Sequence, residues 1–246
     1  MERILSAFSD THTIRDGKAA GLKLVSRGAD PNFARGTYEP PMQEAIASNL
    51  QTGDVFFDIG ANIGFFSLIA ARYAGSDGRV YAFEPVPDNA AAIMRSVKLN
   101  EMDTVEVFAE AVGAVDGRAD LLLARHIGGA VLASAGQPPD MKGKIEIDIV
   151  TLDSVIAKRN LRPPSLVKID VEGAEIDVLK GMSATIQAHH PKIIYEVDDA
   201  TPEGLRRKAD NLATFMSAAG YTMTGLPQSY PNVGWHVEHV FAQSTT

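Results

Sequence analysis

At 246 residues, with 45% apolar and 22% charged content, the chain can bury a sizeable core and has the composition of an ordinary folded domain. A formal net charge of −8 without any extended run of Lys or Arg argues against a nucleic-acid partner. The absence of cysteine excludes disulfides, thiolate metal sites and cysteine nucleophiles. The N-terminal stretch has one short apolar patch, Ile4 to Phe8, before charges interrupt it, and no run of 18 apolar residues occurs anywhere. Neither a signal peptide nor a membrane span is expected, and the chain reads as cytoplasmic.

In chain order, the punctuation is that of strands alternating with helices, the pattern of a parallel sheet covered on both faces. Residues 1–37 are polar and end in GTYEPP, after which 40–50 reads as a helix opening on Pro40 and Pro41. The run DVFFDIG, 54–60, is continuously apolar between Gly53 and Gly60, as a central parallel strand should be. A helix over 63–74 leads to a second strand, GRVYAFEP, 78–85. The next helix runs from Asp88, read as its cap, to Asn100, with Ala91, Met94 and Val97 on one face. VEVFAEAVG, 105–113, makes a third strand.

Strands at 119–124 and 144–150 then form a hairpin inserted before the fourth main strand, around a Gly-, Ser- and Pro-rich stretch. Ile145, Ile147 and Ile149 alternate with polar residues, as in a half-exposed antiparallel strand. A helix at 151–159, the fourth strand at 165–170, a strand at 191–197, a helix at 202–219 and closing strands near 221–226 and 236–242 complete about seven main strands. The whole, 1–246, is read as one domain, with a cap segment 1–50 on a Rossmann-like core 51–246.

The chemistry begins with VFFDIGANIGFF, in which Asp58, Gly60, Asn62 and Gly64 sit between a strand and a helix. Glycines there let the backbone turn tightly and approach a ligand, beside the free N–H groups of a helix start. Asp58 would repel a diphosphate and suits a ligand with a cationic amine and sulfonium. The G-x-x-x-G spacing also departs from the nicotinamide fingerprint, which disfavours an oxidoreductase. Glu84-Pro85 ends the second strand, where a carboxylate can accept both ribose hydroxyls of an adenosine. Glu110-Ala111 follows the third strand and would lie beside the adenine.

With these residues in order, the chain resembles the FkbM-type methyltransferases. The matching stretches are GTYEP (36–40), GDVFFDIGANIGFFSLIAA (53–71), VYAFEPVPDN (80–89), AVGAVDG (111–117), VTLDSV (150–155), LVKIDVEGAEIDVLKGM (166–182) and IIYEV (193–197). The resemblance implies an α/β class I methyltransferase fold, a seven-stranded sheet with its last strand antiparallel and helices on both faces. It implies S-adenosylmethionine as cofactor, S-adenosylhomocysteine as product, and O-methylation of a sugar or natural-product hydroxyl. Carried over by position, Asp58, Gly60, Asn62 and Gly64 would hold the methionine moiety, Glu84 with Pro85 the ribose, and Glu110 with Ala111 the adenine. Tyr38 and Glu39 match the family's YE and are expected near the cofactor or the mouth of the site.

Methyl transfer to a hydroxyl needs alignment and removal of a proton. Asp170 at the tip of the fourth strand, Glu172 in the turn after it and Glu196 at the end of the fifth strand are the carboxylate candidates. His126, in the loop after the hairpin strand, is a candidate base because imidazole titrates near neutrality. Lys168 and Asp170 share one side of their strand and can pair. Glu175 and Asp177 read as helix-starting charges balanced by Lys180 and closed by Gly181. Asp170, Glu172 and Glu196 would also suit Mg²⁺ or Ca²⁺, but no spacing demands a metal and none is predicted. His189, His190, His236 and His239 are set aside as surface or single-strand residues. The expected partner is a small-molecule hydroxyl acceptor, with homo-oligomerisation left open. N-methylation of a small molecule and a non-catalytic S-adenosylmethionine-binding protein are the alternatives.

Overall fold

The computed structural model describes residues 11–26, 28–124, 130–132, 141–230 and 235–245. An antiparallel pair, β1 (Thr11–Thr13) and β2 (Lys23–Val25), is followed by α1 (Pro31–Arg35) and α2 (Pro40–Asn49). Then come β3 (Val55–Ile59), α3 (Phe65–Ala74), β4 (Arg79–Phe83), α4 (Pro87–Leu99) and β5 (Val105–Phe108). The insertion comprises β6 (Ala111–Val112), β7 (Gly117–Ala124), β8 (Ala130–Leu132) and β9 (Met141–Val150). The chain continues through α5 (Leu152–Arg159), β10 (Leu166–Ile169), α6 (Glu175–Gly181), α7 (Ser183–His189) and β11 (Lys192–Asp199). It closes with α8 (Pro202–Ala218), β12 (Tyr221–Gly225) and β13 (His236–Ser244).

Seven strands form the main sheet in the order β12-β13-β11-β10-β3-β4-β5. The strands β11, β10, β3, β4 and β5 are parallel, and β13 runs against both β11 and β12. All five residues of β3 are buried, because both faces of this strand are covered. Val55, Phe57 and Ile59 pack with Val155 of α5, Leu179 of α6, Ile186 of α7 and Leu212 of α8. Phe56 points the other way, into a core with Ile46 of α2 and Leu68 of α3. Period-2 alternation therefore puts helices on both faces, as expected from sequence.

Three boundaries differ from the sequence reading. The polar region before Gly36 holds structure, since Ile14, Leu22, Leu24 and Phe33 are buried in the α2–α3 core. The third strand stops at Phe108, and Ala111–Val112 leaves the main sheet to pair in parallel with β9. The inserted hairpin is thereby widened into a four-stranded sheet, β6-β9-β7-β8. Finally, α4 starts on Pro87 after Val86, so Asp88 is a favourable charge in the first turn rather than the cap. Among the described residues no helix is long and apolar enough to cross a membrane.

Candidate active site

The strand order reverses beside β3, whose two neighbours in the sheet are β10 and β4. Open parallel sheets bind ligands at such a switch point, beyond the carboxyl ends of the strands. After Ile59 the chain turns through Gly60 (φ 77°), Asn62 (φ 51°) and Gly64 (φ 82°) into α3. The N–H groups of Gly60 and Ala61 both donate to the Phe83 carbonyl at 3.0 Å, pinning this loop to the tip of β4. Gly60 is obligatory, because a Cβ there would stand 1.8 Å from the Asp170 carbonyl oxygen. A Cβ on Gly64 would press on Ile93 instead, so Gly64 serves helix packing and does not line the cavity.

Asp58 also stands off the cavity wall. It is fully buried, accepts the Ser67 hydroxyl at 2.6 Å, and lies 3.3 Å from the buried ammonium of Lys168. Its observed partners are thus internal, and it stands behind the cavity wall rather than in it. Lys168 also lies 3.2 Å from Asp170 and donates to the Gly60 carbonyl at 3.1 Å. Burial disfavours the ammonium, but Asp170 and Asp58 outweigh it and hold Lys168 above its ordinary range.

A cavity of about 270 Å³ lies over these strand tips. At one end, the Glu84 carboxylate accepts the N–H of Asn62 at 2.8 Å and that of Val86 at 2.9 Å. Burial outweighs those hydrogen bonds and pushes Glu84 up to about 7. Oε2 keeps a lone pair, and Oε1 shares its second one only with the long 3.4 Å bond from Asn89, so the carboxylate can accept a diol if that amide yields. Asn62 Oδ1 and Glu110 Oε2 are buried without a hydrogen-bond partner, and both residues line the cavity. The other Glu110 oxygen accepts Arg159 at 2.6 Å, and that guanidinium sits 4.7 Å from the Phe108 ring centroid. Pro85 and Ala111 are also in the wall, with Val112 and Leu121 adding apolar surface. Buried acceptors awaiting donors, beside apolar walls, fit an adenosine.

At the other end the cavity is lined by Tyr38, Asp170, Glu172, Glu196 and Tyr230. Glu172 takes a left-handed conformation (φ 54°) in the turn after β10. Burial, reinforced by Asp170, Asp198 and Glu196, pushes its carboxyl up to about 9, so it is protonated at neutral pH. Burial and the Asp170 charge also push Glu196 up, against the pull of His239.

His239 is the principal residue that the sequence reading missed. It sits directly opposite Glu196 in the β11–β13 ladder, and its Nε2 is 2.7 Å from Glu196 Oε2. Burial opposes charge on the imidazole, but its contacts with Glu196 and Glu39 prevail and push it up to about 10. Glu39 lies on the other side, 3.5 Å from the same nitrogen. Burial would raise Glu39, yet His239, the Tyr230 hydroxyl that donates to it, and Lys168 draw it below its ordinary value.

Asp170, Glu172 and Glu196 do not converge into a hard-cation site; among the described residues the convergent ligand set is Glu39, Glu196 and His239. His126 lies outside the described residues. Asp177 is paired with Lys180 at 3.2 Å, as a helix-starting charge would be. Glu175 is buried instead, and its carboxylate accepts the Gly173 N–H at 2.8 Å, bracing the turn that carries Glu172.

The sheet order, the antiparallel β13 and a cavity at the switch point define a class I methyltransferase fold. Residues 58–223 match the sequence model of the methyltransferase FkbM domain, and the chain belongs to this family of S-adenosylmethionine-dependent methyltransferases. It is 33% identical over 177 residues to 31-O-demethyl-FK506 methyltransferase FkbM of Streptomyces tacrolimicus, covering 61% of this chain and 67% of that protein. It is 28% identical over 143 residues to the hexuronic acid methyltransferase AglP of Haloferax volcanii, covering 58% of this chain and 56% of that one. In structure it resembles methyltransferase FkbM from Methylobacillus flagellatus, with a TM-score of 0.52 at 19% identity over 81% of this chain and 50% of the other.

Proposed function

We propose that the protein methylates a hydroxyl group of a small molecule, a sugar or secondary metabolite, with residues 1–246 acting as one unit. The observation that carries this reading is that Asp170 and Glu196 share one cavity with Glu84. A nucleoside anchored on Glu84 would leave its reactive end facing carboxylates that can orient and deprotonate an acceptor. S-adenosylmethionine would supply an activated methyl group. Glu84 with Pro85 would hold the ribose, Gly60 and Asn62 the methionine part, and Glu110 and Ala111 the adenine. Asp58 and Gly64 act behind them, through Lys168 and through helix packing.

Asp170 is read as the proton acceptor: burial raises its carboxyl above the ordinary value, as a base needs, and Lys168 at 3.2 Å pulls against that rise. Glu172, protonated at neutral pH, would donate a hydrogen bond to the acceptor rather than take its proton. The names of the FkbM and AglP relatives, a 31-O-demethyl-FK506 methyltransferase and a hexuronic acid methyltransferase, are in keeping with an oxygen acceptor. A second reading is transfer to an amine. It is favoured by the cavity lining, which holds Asp30, Glu84, Glu110, Asp170, Glu172 and Glu196 and no Lys, Arg or His among the described residues.

Incubation with methyl-labelled S-adenosylmethionine and a panel of sugar, polyketide and amine acceptors tests both readings. A labelled ether supports the first and a labelled amine the second. Failure of the protein to bind S-adenosylhomocysteine in calorimetry would sink both.

A further inference from the structure

We propose that Glu39, Glu196 and His239 form a binding site for a divalent first-row transition metal, Mn²⁺, Fe²⁺ or Zn²⁺, at the rim of the cavity. One ligand atom from each residue lies within 4.8 Å of the others. The imidazole Nε2 is 2.7 Å from Glu196 Oε2 and 3.5 Å from Glu39 Oε2. Ligands ~2.1 Å from one ion and roughly 90–110° apart stand roughly 3.0–3.4 Å from each other. The two observed separations bracket that range.

A proton alone does not complete this arrangement. An imidazole N–H points along one line and serves one acceptor at full strength, and Glu196 has the short contact. Glu39 Oε2 is left without a hydrogen bond, on a residue only 4% exposed. Its other oxygen is held by the Tyr230 hydroxyl, which turns Oε2 toward His239. A buried carboxylate oxygen facing an imidazole nitrogen, with a second carboxylate oxygen 2.7 Å from the same nitrogen, is a half-built coordination shell.

The donor set selects the metal class. Two carboxylates and one imidazole suit Mn²⁺, Fe²⁺ or Zn²⁺ better than Ca²⁺ or Mg²⁺, which prefer oxygen alone. Of the three ligands Glu196 also lines the cavity, which sets the site against its wall. Three rigid elements hold the set: the Glu196–His239 register of β11 and β13, and the start of α2 at Glu39. The site stands on these residues alone and does not depend on which group is methylated.

The test is titration of the chelator-stripped full chain with Co²⁺, read by ligand-field absorption and by paramagnetic broadening of the His239 ring resonances. One bound equivalent that broadens His239 is expected. His239→Gln and the isosteric Glu39→Gln should each weaken binding at least ~10-fold, while His236→Gln on the same strand leaves it unchanged. No Co²⁺ binding, or binding that survives both variants with an unaltered circular dichroism spectrum, overturns the site. Should both variants unfold, the wild-type resonances decide, and an unbroadened His239 overturns it.

Discussion

The ammonium of Lys168 lies 3.2 Å from the carboxylate of Asp170, and it reaches there from a position with almost no solvent access. The same nitrogen neutralises Asp58 at 3.3 Å. One buried cation therefore sets the charge of a strand tip in the cavity and of a carboxylate hidden beneath it. Lys168→Met would leave Asp58 buried beside no cation, and the loss of one partner from such a pair costs ~3–5 kcal/mol. Urea denaturation should show that drop, with part of it recovered in Lys168→Met/Asp58→Asn. A loss small enough to leave the midpoint unmoved would mean that the pair does not hold the core.

On the proposed reading, Glu84 would give the protein a pH-dependent grip on its nucleoside. Hydroxyl donors favour the ionised carboxylate, and burial sets its titration at about 7. Affinity for S-adenosylhomocysteine should therefore fall as pH drops through 7. Glu84→Gln should bind roughly 10- to 100-fold more weakly at pH 8, as expected for losing a charged acceptor, with a flattened pH profile. Calorimetry across pH 5 to 9 checks both.

Stability runs the opposite way for the same group. Its folded value is raised above the ordinary 4.5, so the folded state holds the proton more tightly than the unfolded chain. The stabilisation is fully present below that ordinary value and is lost as pH rises through about 7. Thermal melts of wild type and Glu84→Gln should converge at low pH and diverge above neutrality, with the variant the more stable. Parallel curves would show that Glu84 does not titrate in this window.

Asp170 and Glu172 are expected to separate in kinetics. If Asp170 is the proton acceptor, as proposed, Asp170→Asn should lower turnover by ~10²–10⁴, the usual contribution of a general base, with a much smaller effect on cofactor affinity. Glu172→Gln keeps a hydrogen-bond donor in place and should retain more activity than Glu172→Ala. Equal losses in the two Glu172 variants would assign it a charged role instead.

Two glycines with the same backbone hand should differ sharply. Gly53 has φ 92° and open space where a Cβ would go, so Gly53→Ala carries the left-handed cost alone, roughly 1–3 kcal/mol. Gly60→Ala adds a collision with the Asp170 carbonyl and should be far more destabilising, or fail to fold. Comparable melting temperatures for the two would contradict the close approach.

Much of this was legible in the sequence because buried parallel strands read as apolar runs between glycines, and strand tips carry the residues of the cavity. Asp170, Glu84, Asn62 and Glu110 were placed by position alone. The internal pairing of Asp58 was not legible, since a strand-tip carboxylate looks the same in sequence whether or not a lysine lies beneath it. The β1–β2 pair escaped because three-residue strands leave no periodic signal. His239 escaped for another reason. Its partner Glu196 is 43 residues away, and only the antiparallel register brings them face to face.

The four-stranded insertion leaves the main sheet after Phe108 and returns it to the chain at Leu152. Through Leu121 it supplies part of the cavity wall, while Glu84, Asp170 and Glu196 belong to the other sheet and the turns at its strand tips. The end of the cavity proposed for the nucleoside is thus closed by two sheets, whereas the strand tips that carry the carboxylates come from one. On that reading, a change in the insertion would be felt first in the hold on the nucleoside, with the carboxylates left in place.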